Sequence, residues 1–158
     1  MEPTRLHTLE TDAPRADTSS MSTRTFPVDR SAPRAAAAWF RGLPTGLSAS
    51  RLADAELCVD ELVTNVVRYA FTDGGPNTLT VHVERSPSEV EIVIQDDGRP
   101  FDPTAAPLPA MPRTLEEAVP GGRGLLLVRS IAPSLRYERR DGVNRVRLAF
   151  PLDTPSQS

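Results

Sequence analysis

Glu61 and Asn65 are the first pair of residues whose types and spacing could support chemistry. They stand four positions apart in the sequence ELVTN (61–65), so in a helix they lie on one face, one turn apart. A carboxylate and a carboxamide both offer hard oxygen ligands and could together hold a water molecule or a Mg²⁺ ion. The same spacing is common on ordinary solvated helix faces, so both interpretations stay open at this point.

A second candidate site follows the apolar run at 90–94, where the chain continues into Asp96, Asp97 and Gly98. A strand end fixes a side chain while the loop after it stays open to a ligand. Asp96 could accept a hydrogen bond from an exocyclic amine such as that of adenine, and Gly98 would let a flat ring approach the backbone. An Asp-Gly pair is also the usual composition of a simple turn.

The third candidate is the sequence GRGL (122–125), in which Gly122, Arg123 and Gly124 lead into an apolar run that starts at Leu125. Glycines before a helix leave backbone N–H groups and the positive end of the helix dipole free to face an anion. Arg123 would add a positive charge at that point. A flexible hinge has a similar composition, so this motif also has a purely structural interpretation.

The composition narrows the chemistry that these residues could perform. All 18 basic residues are arginine, which excludes the lysine of P-loop NTPases, the strand lysine of protein kinases and Schiff-base catalysis. One cysteine, Cys58, and two histidines, His7 and His82, exclude a structural zinc site and a disulfide scaffold. The net charge of −3 gives no reason to expect attraction to nucleic acid or to an anionic membrane. Because no membrane span or secretory signal is visible, we expect a cytoplasmic protein.

The elements that would position the three motifs belong to one domain. We predict a disordered tail at 1–23, a folded domain at 24–152 and a C-terminal tail at 153–158. Apolar residues at three- and four-residue steps predict a long helix over 52–70, preceded by a shorter helix that starts near Ser31 or Ala32. Strands are predicted at 25–28, 79–84, 90–95, 135–139 and 145–150, with a short helix at 124–131. This order predicts an α+β two-layer sandwich, with a mixed sheet and helices on one face.

In this order, the three motifs resemble those of the GHKL ATPase superfamily, which has the Bergerat ATP-binding fold. They resemble more closely those of the anti-sigma-factor serine/threonine kinases of the RsbW type, and the resemblance covers residues 25–150. The sequence ELVTN (61–65) resembles the family's E-L-x-x-N helix, DDGRP (96–100) its first glycine box, and GRGL (122–125) its second. Pro100 stands where the general box has a second glycine, a form that is familiar among RsbW-like proteins.

The resemblance implies a role for each motif. Asn65 would ligate the Mg²⁺ ion that bridges the phosphates of ATP, and Glu61 would be the general base. Asp96 would accept a hydrogen bond from the adenine amino group, and Gly98 would leave room for the base. The segment 103–121 would be an ATP lid that leads into the phosphate-facing helix. The other nucleotide contacts implied are Gly122, Arg123, Gly124 and Leu125.

By the same resemblance, the chain would bind Mg-ATP and phosphorylate an anti-anti-sigma protein in a partner-switching circuit with a sigma factor. It would be a homodimer that contacts neither nucleic acid nor membrane. Phe26, Trp39 and Phe40 are candidates for the dimer interface, although aromatic residues at such positions are more often core. The alternative is an ATP-binding module that sequesters a sigma factor or other partner without phosphotransfer. A free-standing ATPase is a further alternative, whereas a histidine-kinase fragment fits worse because neither His7 nor His82 stands on a predicted dimerisation helix.

Overall fold

The computed structural model describes residues 19–108 and 123–153. Its strands are β1 Ser20–Pro27, β2 Thr78–Arg85, β3 Glu89–Asp96, β4 Leu135–Arg140 and β5 Val143–Pro151. Its helices are α1 Ala32–Arg41, α2 Ala49–Asn65 and α3 Arg123–Ile131, and α2 continues into a π-helical turn at Val66–Ala70. Within these ranges, no helix combines the length and the apolar character that crossing a membrane requires.

The five strands form one sheet in the order β1-β2-β3-β5-β4, and every neighbouring pair is antiparallel. The predicted α+β class is confirmed, but the prediction of a mixed sheet is wrong. β3 and β4 run in the same direction, because each is antiparallel to β5. β5 returns between them, so the two strands that α3 connects are never neighbours and no parallel pair forms.

The helices cover one face of this sheet, and the inward side chains of the strands alternate with polar ones on the outer face. α1 and α2 pack on each other and bury Phe40, Val59 and Val63 against the sheet. Phe26 is 3% exposed, and Trp39 packs edge-on against it with ring centroids 5.9 Å apart. Phe26, Trp39 and Phe40 therefore belong to the core or pack on it, which favours the structural interpretation of these aromatics.

The N-terminal boundary of the domain lies earlier than predicted. The sequence predicts residues 20–23 as part of the tail, but they form the start of β1 and pair with residues 82–85 of β2. These residues show no apolar alternation. The edge strand that they form is held instead by its backbone pairing with β2 and by polar contacts, such as the 3.0 Å contact from Thr23 Oγ1 to His82 Nδ1. Residues 1–18 and 154–158 lie outside the described residues, so the tails predicted there stay predictions.

Candidate functional site

Asn65 is the last residue of α2, and the π-helical turn follows it directly. The sequence predicts a continuous helix through residue 70, but the helix widens at the end of the ELVTN motif. π-helical turns are rare in proteins overall, but those that occur often lie at functional sites. Arg99 closes this helix end: its backbone N–H donates to Ala70 O at 2.8 Å, and its Nη2 donates to Tyr69 O at 2.9 Å. The loop after β3 is therefore bound directly to the end of the helix that carries Asn65.

Gly98 packs against the same helix end. A Cβ at this position would lie 2.5 Å from Ala70 O and 2.6 Å from Ala70 Cβ, distances that real side chains do not adopt. Only glycine lets the loop approach the π-helical turn so closely. This contact gives Gly98 a packing role that the sequence did not predict, and its predicted role beside a nucleotide base stays a prediction.

Asp96 is a buried carboxylate at the end of β3, with 7% of its surface exposed. Its Oδ1 accepts hydrogen bonds from Gly98 N and from Asn144 Nδ2, each at 2.9 Å. Burial raises the pKa of Asp96 above its ordinary value, and these two hydrogen bonds oppose the increase. Both bonds go to Oδ1, and none of the described residues donates to the second oxygen, which can therefore accept from a donor such as an exocyclic amine.

Asn144 orients Asp96 by a hydrogen bond to its carboxylate. The motifs in the sequence do not include Asn144. Its Oδ1 accepts hydrogen bonds from Tyr137 Oη and Arg139 Nη1, each at 2.7 Å. Its Nδ2 therefore faces Asp96 Oδ1 and also donates to Arg99 O at 2.9 Å. Asn144 lies at an inward position of β5, two residues before Val146. A polar residue in this apolar alternation was the signal that could have identified it.

A cavity of about 370 Å³, including its space open to solvent, joins the first two motifs. Asn65, Asp96 and Asn144 line it together with apolar side chains such as Ile94 and Val146. The Nδ2 of Asn65 is buried and has no hydrogen-bond partner among residues 19–108 and 123–153, a costly condition that usually has a functional explanation. Such an amide is available to a ligand, and its oxygen is of the kind that Mg²⁺ takes beside phosphate oxygens and water. The predicted Mg²⁺ ligand therefore fits this cavity.

Glu61 and Gly124 bring the first and third motifs together. A Cβ on Gly124 would overlap Oε2 of Glu61, so the carboxylate packs directly on the first turn of α3. Burial raises the pKa of Glu61, the charge of Asp60 raises it further, and the charge of Arg68 lowers it. Glu61 is thus a carboxylate whose basicity is increased by its surroundings.

The remaining motif residues are placed differently from one another. Arg123 is exposed at the first residue of α3, whereas Leu125 is buried in the core with 8% exposure and does not line the cavity. Gly122 lies outside the described residues, as does most of the segment expected to be a lid. The predicted nucleotide contacts of these three residues stay predictions.

The cysteine and the described histidine lie away from the cavity. Cys58 is fully buried, and burial raises the pKa of its thiol to about 12, so it stays protonated. His82 pairs with Thr23 on the outer face of the sheet, opposite the helices. Within the described ranges, no group of three or more His, Cys, Asp or Glu side chains is arranged to hold a metal ion.

A buried acceptor at a strand end and a buried amide line the same cavity, an arrangement that a nucleotide with polar groups at both ends could occupy. The family model described as the histidine kinase-like ATPase domain matches residues 26–150, and the chain belongs to this family. The match confirms the resemblance to the GHKL superfamily that the three motifs indicated.

Among curated proteins, the chain is similar to the serine/threonine-protein kinase BtrW of Bordetella bronchiseptica, with 42% identity over 92 residues, covering 58% of this chain and 65% of the relative. It is also similar to the serine-protein kinase RsbW of Halalkalibacterium halodurans, with 28% identity over 103 residues and 62% of each chain covered. The chain thus spans less than two thirds of the length of these relatives.

A solved structure shares the fold. It contains the RsbU and RsbW domains of Rv1364c from Mycobacterium tuberculosis, and it superposes with a TM-score of 0.61 at 17% identity. The match covers 86% of this chain and 33% of that one. At this identity the likeness supports the architecture, in agreement with the family match.

Proposed function

We propose that the chain is an ATP-dependent serine/threonine protein kinase of the partner-switching type. The observation that carries the proposal is the unpaired, buried amide of Asn65, which shares a cavity with the buried acceptor Asp96. Glu61 lies one helical turn from Asn65 and has no hydrogen bond to the described residues that would occupy its carboxylate. The two curated relatives described above are named as serine or serine/threonine kinases, which supports the same assignment.

In this proposal the two ends of ATP are held by different motifs. Oδ2 of Asp96, to which no described residue donates, accepts a hydrogen bond from the adenine amino group. Asn65 would hold Mg²⁺ through its amide oxygen, and the ion would neutralise charge that develops on the transferred group. Arg123 and the first turn of α3 lie on the phosphate side, where positive charge and backbone N–H groups favour an anion.

Glu61 is the general base of the proposed reaction. A serine or threonine hydroxyl oxygen of the protein substrate forms a bond to the γ-phosphorus, and the bond from that phosphorus to the leaving oxygen of ADP breaks. The hydroxyl proton passes to the Glu61 carboxylate. Because burial raises the pKa of Glu61, the carboxylate is a stronger base than an exposed glutamate.

The partners and the setting belong to the same proposal. The substrate is an anti-anti-sigma protein, and a sigma factor is the second partner, as the resemblance to RsbW-type kinases implies. A homodimer and a cytoplasmic location are proposed on the same basis. None of these assignments needs contact with nucleic acid or with a membrane.

The direct test is to incubate the chain with γ-labelled ATP, Mg²⁺ and candidate anti-anti-sigma proteins. We expect label on a serine or threonine of one candidate, and a decrease in rate of about 10²- to 10⁴-fold in Glu61→Gln, because the base is removed while ATP contacts remain. Glu84→Gln, an exposed carboxylate on β2, is the matched control. Unchanged turnover in Glu61→Gln would refute the base role, and ATP binding without any transfer would favour the non-catalytic module.

A second test addresses the ion. Asn65→Ala removes the amide oxygen, so we expect the Mg²⁺-dependent part of ATP binding to be abolished, measured by calorimetric titration with and without Mg²⁺. Asn77→Ala in the loop before β2 is the control, because among the described residues the Asn77 side chain bonds only Asp73, and the backbone bonds of Asn77 remain in the variant. Wild-type affinity and Mg²⁺ dependence in Asn65→Ala would contradict the metal assignment.

A further inference from the structure

Arg129 of α3 binds the segment that follows β3. Its Nε donates to Pro103 O at 2.7 Å and its Nη2 donates to Ala106 O at 2.6 Å. The side chain is partly buried, and both acceptors are backbone carbonyls. The planar guanidinium thus donates to two carbonyls of one turn at the same time. The ammonium group of a lysine does not reproduce this fork geometry.

The turn that Arg129 grips is closed on itself. Asp102 Oδ1 accepts hydrogen bonds from Thr104 N at 2.8 Å and from Thr104 Oγ1 at 2.6 Å, and Ala106 N donates to Asp102 O at 2.9 Å. These bonds fix the turn internally. The carbonyls of Pro103 and Ala106 are left for Arg129, so the guanidinium connects two preformed elements.

Each element reaches the candidate site. Pro103 is fully buried and lines the cavity that contains Asn65 and Asp96. Gly124, five residues before Arg129 on α3, packs on the Glu61 carboxylate. A helix rises about 1.5 Å per residue, so these two contacts of α3 are about 7.5 Å apart along its axis.

Apolar packing alone would not fix the position of α3 precisely enough to keep Gly124 against the Glu61 carboxylate. Val128 is fully buried and holds the helix on the core, but apolar contact is non-directional and tolerates small sliding and rotation. Two charge-assisted hydrogen bonds in a fixed fork are directional. They oppose the movements that would separate Gly124 from Glu61.

We propose that Arg129 is a positioning residue, which fixes α3 to the cavity wall at Pro103 and thereby keeps Gly124 against the Glu61 carboxylate. Its effect on phosphotransfer rests on the proposed function, in which Glu61 is the base. The two hydrogen bonds from Arg129 to Pro103 O and Ala106 O, which we call the clamp, are present in the chain without nucleotide. The clamp can therefore be tested separately.

The first measurement is amide hydrogen exchange of the full chain without nucleotide. In Arg129→Met, which keeps the aliphatic stem, we expect exchange to be about 10-fold faster at 104–106 and at 125–128, because two charge-assisted bonds are lost. Arg136→Met, on the exposed outer side of β4, is the matched control and should exchange like the wild type. Unchanged exchange in Arg129→Met, or equally faster exchange throughout the chain, would overturn the clamp.

The second measurement separates ATP affinity from turnover. Arg129→Met should lower kcat for phosphotransfer about 10-fold or more and change the Kd for ATP by less than about 3-fold, because a displaced base affects the chemical step more than ground-state binding. Arg129→Lys should recover little of the lost kcat, since an ammonium cannot bind both carbonyls in the fork geometry. A wild-type kcat in either variant would overturn the positioning role.

The two measurements distinguish failure of this inference from failure of the proposed function. A wild-type chain that transfers no phosphate to any protein would reject the kinase assignment. The exchange pattern of Arg129→Met would then decide the clamp by itself. Faster exchange confined to the turn and α3 would support it, and an unchanged pattern would reject it.

Discussion

The candidate site has two sides that are built in opposite ways. On the aspartate side, formed by Asp96, Gly98 and Asn144, the polar groups are bound to one another and to the backbone around them. On the glutamate side, formed by Glu61, Asn65 and Gly124, a buried amide nitrogen has no partner in the part of the chain that the structure describes, and a carboxylate packs on a glycine. The aspartate side is held together by hydrogen bonds within the protein and leaves Asp96 Oδ2 as its acceptor for a ligand, whereas the glutamate side has no such internal network among the described residues.

The difference has an energetic meaning. A satisfied buried network stabilises a unique arrangement, so the aspartate side contributes to folding as well as to recognition. An unpaired buried amide costs stability, and so does a carboxylate such as Glu61, whose pKa is raised by burial and by Asp60 and is not lowered by a hydrogen bond. Such a cost is typical of residues kept for binding or catalysis, so the glutamate side is where we expect ligand binding to change the protein most.

The largest expected effect comes from breaking the glutamate side sterically. Gly124→Ala places a methyl group on Glu61 Oε2, so the carboxylate must move, and we expect phosphotransfer to fall about 100-fold or more. The free energy of unfolding should change by less than about 1 kcal/mol, because the helix propensity of alanine offsets part of the clash. Steady-state kinetics and urea unfolding measure the two quantities.

Gly42→Ala is the control for this substitution. Its backbone has a φ of −76°, and the nearest atom to an added Cβ is 3.5 Å away, so both activity and stability should be retained. A wild-type rate in Gly124→Ala would show that the contact between Glu61 and α3 does not matter for transfer.

The next largest effect is expected from removing the central residue of the aspartate side. Asn144→Leu keeps the approximate volume but leaves Asp96, Tyr137 and Arg139 without their shared partner. We expect the free energy of unfolding to fall by about 2–4 kcal/mol, and ATP affinity to fall with it, because a buried network loses its central member. Chemical unfolding with a nucleotide titration tests both expectations. A loss below about 0.5 kcal/mol, as expected at an exposed site, would contradict the contrast between the two sides.

The smallest effect is a pH dependence that differs between the sides. Burial raises the pKa of Glu61 above its ordinary value of 4.5, so the folded state binds the proton more tightly than the unfolded state does. The free energy of unfolding therefore falls as pH increases from 4.5 through the raised pKa. Glu61→Gln removes this cost, so the variant should be more stable than the wild type at neutral pH and lose that advantage in acid.

Asp96→Asn is the matched comparison for this pH dependence. Burial also raises the pKa of Asp96, but the carboxylate accepts two hydrogen bonds that an amide satisfies less well. The gain at neutral pH should be smaller than in Glu61→Gln or absent. Unfolding curves at about pH 4 and about pH 8 measure both variants, and equal gains would mean that the two sides do not differ in this way.

The parts of the molecule that follow from local pattern could be predicted from the sequence. The apolar periodicity around Val59 and Val63 predicts α2, and the placement of Glu61 and Asn65 on one face follows from that period. The alternation at 79–84 and 90–95 predicts the antiparallel pair β2 and β3, which the structure confirms. A local apolar repeat of this kind identifies a helix or a strand because its period follows from which side chains share the one buried face of that element.

The parts that depend on distant residues could not be predicted. Asn144 reaches Asp96 only because β5 returns between β3 and β4, and this strand order is not visible in either sequence segment. The contact between Gly124 and Glu61 likewise requires the packing of α3 on α2. The antiparallel sheet and the start of β1 at Ser20 were missed for the same reason, since pairing with β2 and β5 determines both.

The π-helical turn at Val66–Ala70 limits how this chain can change in length. A π turn contains one more residue than an α turn, and deleting a residue from 66–70 would restore ordinary helical spacing. It would also rotate everything after Asn65 by about 100° around the helix axis. Tyr69 O and Ala70 O would then no longer face Arg99. We therefore expect substitutions in this segment to be tolerated far better than single-residue deletions, however well a deletion improves the helix itself.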